Sequence, residues 1–238
     1  MNLPLKSGGI ARVAVQVLSI ILGLAAAPAL AVCPTEQDLW EGIEAVDSDG
    51  KFWRFKRLDA ITHEERGTLS LEGFQETSVA LFANGLYDLE HQVFLHEPDR
   101  EPELLSHQKW IYVGGKPFEF IERPIHHLPA PGVGEESTVT AVKVEILNGE
   151  RELVVVTRRI GPAIPVVIAD CPYSASAITE VYAKVDVIAG QIVMPDDGAE
   201  TSRMAFVWDL GIVLWFDVEG LIDEDLPRLE EFAASSAR

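Results

Sequence analysis

Little in this 238-residue chain is basic, sulfur-containing or helically periodic, and each shortage removes a class of function. Lys and Arg number 19 against 38 Asp and Glu, a formal net charge of −19. Such a surface repels phosphate backbones and anionic lipid head groups, so nucleic-acid binding and electrostatic membrane docking are excluded as expectations. Calcium or cationic partners stay compatible with the charge, although most of it serves to keep the chain soluble. There are only two cysteines and no Cys-x-x-Cys, which leaves thiol–disulfide catalysis and Cys-rich zinc sites without support. The sequence also lacks a Gly-x-Ser-x-Gly elbow, a Ser-x-x-Lys pair, a His-Glu-x-x-His motif and a Gly-rich phosphate loop. No apolar run reaches the roughly 20 residues needed to span a bilayer as a helix.

The longest apolar segment, residues 13–24, instead lies between a basic start (Lys6, Arg12) and the small-residue stretch Ala29-Leu30-Ala31. That order is the signature of a cleaved export signal over residues 1–31, ending at an Ala-x-Ala cut. Leu30-Ala31-Val32-Cys33 superficially resembles a lipoprotein acylation box, but the branched Val32 stands where such boxes place a small residue. A lone Arg12 departs from the twin-arginine signal, so export unfolded, with folding outside the cytoplasm, is expected. The sequence thus predicts a periplasmic or secreted protein. Removing Lys6 and Arg12 leaves 17 basic against 38 acidic residues, a net −21 for the mature chain.

An oxidising compartment gives Cys33 and Cys171 a meaning, since they are the only pair available. A disulfide between them is expected. It would close a loop of about 139 residues and contribute at most roughly 5 kcal/mol by restricting the unfolded chain.

Residues 32–238 are expected to form a single mainly β domain, an antiparallel barrel or strongly curved sheet with one or two small peripheral helices. Alternating and β-branched runs separated by turn residues carry that reading. The clearest unit, residues 138–160, has two runs meeting at Asn148-Gly149, which suits a two-residue type I′ hairpin. That turn sets Val144 opposite Leu153, Val142 opposite Val155 and Lys143 opposite Val154. It also sets Glu145 against Glu152, an unfavourable like-charge pair. Asn84-Gly85 similarly joins 77–83 to 86–95, pairing Phe82 with Tyr87, Ala80 with Leu89 and Ser78 with His91. Further strands are expected at 51–58, 67–72, 109–113, 118–122, 178–188, 203–208 and 212–218. Helices are expected at 36–45 and 223–234, the second because Leu226, Leu229 and Phe232 recur at helical spacing. The Pro- and Gly-rich stretch 125–137 reads as a mobile loop.

Histidines 91, 96, 107, 126 and 127 cluster in sequence without metal-ligand spacing, so no metal site and no cofactor is expected. Asp47-Ser48-Asp49-Gly50 and the oxygens of Asp196, Asp197 and Glu200 do not complete a calcium loop and read as turns. Acidic pairs such as Glu64-Glu65, Glu135-Glu136 and Glu230-Glu231 follow from abundance. The aromatic residues are the better source of a site. Trp53, Phe55, Trp110, Tyr112, Phe118, Phe120, Phe206, Trp208, Trp215 and Phe216 would line either a core or an apolar concavity.

The function expected is a non-catalytic cell-envelope protein binding a lipid or other apolar ligand, or a protein partner. The alternatives are a secreted hydrolase with a polar cleft near His126-His127, and a purely structural interaction domain with a filled interior.

Overall fold

A computed structural model describes residues 33–113, 128, 130–188, 191–193, 199–218, 221 and 226–235. The expected export signal, the expected strand 118–122 and the His126-His127 pair lie outside these residues. About two thirds of the described residues lie in strands: β1 (Ile43–Asp47), β2 (Phe52–Arg57), β3 (Thr62–Leu71), β4 (Phe74–Ala83), β5 (Tyr87–His96), β6 (Glu103–Val113), β7 (Glu136–Glu145) and β8 (Arg151–Ile160). It continues with β9 (Ile164–Ile168), β10 (Cys171–Lys184), β11 (Asp186–Ile188), β12 (Gln191–Val193), β13 (Ala199–Val207), β14 (Ile212–Leu214) and β15 (Leu229–Ala234).

Thirteen of these form one antiparallel sheet in the order β14-β13-β10-β8-β7-β6-β5-β4-β3-β2-β1-β15, with β9 paired to β10. Strands β11 and β12 make a separate ribbon. The sheet is not closed: β14 and β15 stand at opposite ends of the order, and among the described residues only an isolated bridge, Asp217 to Arg228, links the segments beside them. This corrects the barrel expectation, and the reason is visible in the sequence of the last hairpin. Residues 204–208 and 212–216 are apolar without interruption, the pattern of a strand buried on both faces. Ala205, Val207, Ile212 and Leu214 pack with Ile43, Phe55, Tyr173 and Phe232, from both ends of the sheet. Met204, Phe206 and Val213 point the other way, into a second core with Tyr87, Tyr112, Val154 and Ile178. The β13–β14 hairpin is therefore a septum between two cores. We call the face carrying the second core the inner face.

Neither expected helix forms among the described residues. At 36–45 a single 3-10 turn, Glu36–Trp40, is capped by Thr35 and Asp38. Gly42, at φ 122°, then turns the chain into β1. In the second segment β15 pairs with the outer edge of β1, Phe232 opposite Ala45. Leu, Glu and Ala favour helices intrinsically, but satisfying a bare sheet edge outweighs that preference.

Both Asn-Gly hairpins form with altered registers. Asn84 and Gly85 have φ 51° and 68°, and the Leu86 N–H donates to the Ala83 carbonyl at 3.0 Å, the expected type I′ turn. Leu86 adds a residue, so Ala83 faces Tyr87 and Phe82 faces Asp88; a bulge beyond Leu81 then brings His91 opposite Ala80. At Asn148-Gly149 the Glu145 N–H donates to the Glu150 carbonyl at 2.9 Å, which leaves a loop of four residues, 146–149, inside that pair. Val142 faces Leu153, Val144 faces Arg151 and Lys143 faces Glu152. A two-residue shift keeps every side chain on its expected face, and it replaces the Glu145/Glu152 repulsion by a Lys143–Glu152 pair at 4.0 Å.

Gly85 also sits where two turns touch, because a Cβ there would run into the Gly211 carbonyl oxygen. Gly73 has a similar φ of 87° and open space around it. Gly73→Ala should therefore cost only backbone strain, about 1 kcal/mol, whereas Gly85→Ala should cost about 2–3 kcal/mol. Urea unfolding of the two variants checks the difference; equal losses would mean the turn contact carries no weight.

Candidate functional site

Arg158 provides the site's centre, and its position follows from strand parity. Along β8, Val154 and Val156 face inward, so Arg158 must as well. Its side chain is 1% exposed. Opposite it on β10 stands Glu180, 9% exposed, with Nε–Oε2 at 2.6 Å. Asp88 on β5 approaches Nη2 at 4.0 Å, and the Tyr87 ring lies 4.9 Å from the guanidinium carbon. Burial alone would lower the Arg158 pKa, but Glu180, Tyr112 and Asp88 outweigh it and hold the guanidinium above its usual value. Arg158 Nη1 has no partner among the described residues.

These groups open onto a cavity of about 380 Å³ on the inner face. Trp110, Tyr112, Tyr182 and Trp215 supply its aromatic surface, and Gln108, Lys143, Glu200 and Ser202 its polar edge. Register places them together: Trp110 faces Lys143, Tyr182 faces Val156, and Ser202 faces Glu180. The Lys143 ammonium lies 5.8 Å from the Trp110 ring centre. The Tyr182 hydroxyl is buried without a hydrogen bond among the described residues, and burial together with Glu152 pushes its pKa up to about 12.

Two carboxyls, Asp88 beside Arg158 and Glu65 on β3, are held toward their neutral forms. Burial, and then Glu180, push Asp88 up to about 6 against the pull of Arg158, although 30% of its side chain stays open. Burial, and then Asp88, push Glu65, 6% exposed on β3, up to about 8. His63 next to it is buried and stacked on Phe82 at 5.1 Å; burial, then Arg57, lower its pKa to about 4.

The signs of these shifts oppose one another. Glu65 binds its proton more tightly folded than unfolded, so its contribution is complete below about pH 4.5 and is lost as pH rises through about 8. His63 behaves oppositely, adding stability as pH rises from about 4 to 6.5. Above pH 6.5 Glu65 alone of the three still titrates, so stability should fall between pH 6.5 and 8 by roughly 2 kcal/mol. Glu65→Gln should flatten that window in urea titrations; an unchanged slope would show that Glu65 is ionised throughout.

The structure disperses most of the other sequence candidates. Cys33 and Cys171 are bridged, with Cα atoms 5.4 Å apart. His107 pairs with Glu90 at 2.6 Å, while His91 lies on the inner face, and no group of three metal-ligating side chains exists among the described residues. Asp47 accepts hydrogen bonds from the Asp49 and Lys51 N–H groups and from Trp53 Nε1, which makes its segment a turn with occupied oxygens. Trp53, Phe55 and Phe216 pack in the first core, Phe206 and Trp208 against the second. Within the expected mobile loop, the Leu128 carbonyl accepts from Asn84 Nδ2 at 2.8 Å and β7 begins at Glu136; Asp196 and Asp197 lie outside the described residues. A larger groove of about 660 Å³ lies across the opposite face of β3–β5, over Thr77, Val79, Leu81 and Phe94. Its charged residues are paired, Arg66 with Glu64 and Glu90 with His107 and Lys109.

Sequence reasoning named Trp110, Tyr112 and Trp215 and missed Asp88, Arg158 and Glu180. A signal for two of them was present: Arg158 and Glu180 occupy inward-facing positions of alternating strands, where a charge is expensive unless it is partnered. No family model, curated protein sequence or solved structure matches this chain.

Proposed function

We propose that the protein is a non-catalytic, extracytoplasmic binding module whose sheet takes a small molecule into the cavity around Arg158. The observation that carries the proposal is a cavity of about 380 Å³ whose aromatic walls stand beside the Arg158–Glu180 ion pair and Asp88. Charged groups on an otherwise apolar wall are costly unless they are partnered, and a ligand with matching polar groups adds partners for them. The Cys33–Cys171 disulfide fits an oxidising compartment, and with the export signal it supports a periplasmic or secreted location. The cavity also favours ligand binding over a purely structural role, which needs only a filled interior.

Native mass spectrometry of the protein purified from its own compartment tests this reading. A stoichiometric small-molecule adduct is expected, released on denaturation and lost in Trp110→Ala. A bare mass in both proteins would overturn it.

One observation favours a hydrolase as the second reading. Asp88, held near pH 6, is poised as a proton donor beside the ionised Arg158. This reading predicts turnover of nitrophenyl esters or glycosides that falls at least tenfold in Asp88→Asn; a panel without turnover removes it.

A further inference from the structure

The cavity around Arg158 combines three properties that together narrow the chemistry of its occupant. First, its polar atoms are of both kinds, at close quarters. Arg158 and Lys143 offer donors, Asp88 and Glu180 offer acceptors, and Gln108 and Ser202 offer both. A hydroxyl group, donor and acceptor at once, suits such a lining better than a carbonyl or an ammonium. Second, its charges come close to cancelling, with Arg158 and Lys143 facing Asp88, Glu180 and Glu200. An anion would meet three carboxyl groups, and a cation would meet a buried guanidinium as well as the ammonium beside Trp110. Third, Trp110, Tyr112, Tyr182 and Trp215 present flat apolar surface beside those polar groups. An acyl chain could use the aromatic surface, but it would offer nothing to Asp88, Gln108, Lys143 and Ser202 and would strip water from the carboxylates.

We propose that the occupant is a neutral carbohydrate, one face of its ring lying on the aromatic wall and its hydroxyls shared among Arg158, Glu180 and Asp88. This rests on the assignment of the cavity as a binding site. A pyranose fits all three properties, having an apolar C–H face, a rim of hydroxyls and no charge. The volume of about 380 Å³ is within the range of small-molecule sites. The recognition is consequently amphipathic, and the apolar-ligand expectation does not extend to this cavity.

The test uses the full disulfide-bonded protein on an array of immobilised neutral glycans with hexose, pentose and N-acetylhexosamine termini, followed by tryptophan-fluorescence titration with the retained sugar. Glucuronate, choline and decanoate serve as anionic, cationic and acyl probes. Retention on a neutral glycan is expected, with affinity weakened at least tenfold in Trp110→Phe and in Ser202→Ala, both of which should unfold at the parent temperature. No retention on any neutral glycan overturns the carbohydrate assignment. Trp110-dependent binding of one of the other three probes overturns it too while leaving the cavity as the site. A bare mass in the native measurement above would remove the site itself.

Discussion

Replacing Arg158 with methionine while Glu180 remains is expected to destabilise the protein by about 3–5 kcal/mol. Arg158 and Glu180 are both almost wholly buried and lie 2.6 Å apart, so removing the guanidinium leaves a carboxylate that neither water nor another cation at that distance can satisfy. Asp88 would lose the largest of the contributions that oppose its rise, leaving its backbone hydrogen bond and Lys143, and its pKa should climb above 6. Methionine fills comparable volume, so the loss is electrostatic rather than a cavity effect. Removing both charges together, in Arg158→Met/Glu180→Leu, should recover most of the stability, because a buried ion pair contributes little net once its desolvation is counted. Urea unfolding of the two single variants and the double variant measures the coupling. A loss below about 1 kcal/mol in Arg158→Met would mean that water reaches Glu180 freely. The double variant has a second use, since it should fold yet lose the proposed ligand, which separates the requirements of the fold from those of binding.

Removing the disulfide is the second large effect. Cys33→Ser/Cys171→Ser should cost about 2–5 kcal/mol and lower the unfolding midpoint by roughly 10 °C. The two cysteines are 138 positions apart, so the bond restricts most of the unfolded chain. In the folded protein it ties the segment before β1 to the start of β10. There the Tyr173 hydroxyl donates to the Pro34 carbonyl at 2.9 Å, and Cys171 is buried in the first core. Thermal unfolding with and without a thiol reductant checks the expectation; a shift under about 2 °C would show that the hydrogen bond and the core hold that junction unaided.

How much of this was legible follows from where each signal resides. Period-two alternation lies in neighbouring residues, so the strands around 138–160 and 77–95 could be read directly, and so could the face each side chain takes. Register was not legible, because it depends on loop length. One extra residue at Leu86 and two more around Asn148-Gly149 moved the pairs. Strands β1, β9, β12 and β15 escaped because they are short, and β15 has the composition of a helix; only the vacant edge of β1, some 190 positions away in sequence, makes it a strand. The disulfide was legible because two cysteines allow one pairing. The site was half legible. Aromatic residues announce themselves by type, but Asp88, Arg158 and Glu180 come from strands β5, β8 and β10, and only the fold makes them neighbours.

The pairing of β15 with β1 governs how the molecule must be assembled. Strands β1 to β8 follow one another in the sheet as they do in the chain, so each can add to its predecessor as the chain is made. The opposite edge of β1 has to wait for residues 229–234, far later in the sequence. Throughout that interval the nascent chain exposes a strand with alternating buried side chains and unsatisfied backbone groups, the kind of surface to which another copy can anneal. Strand β15 thus acts as a latch on solubility, and a chain that stops before it should accumulate as aggregates even though most of its sheet can form.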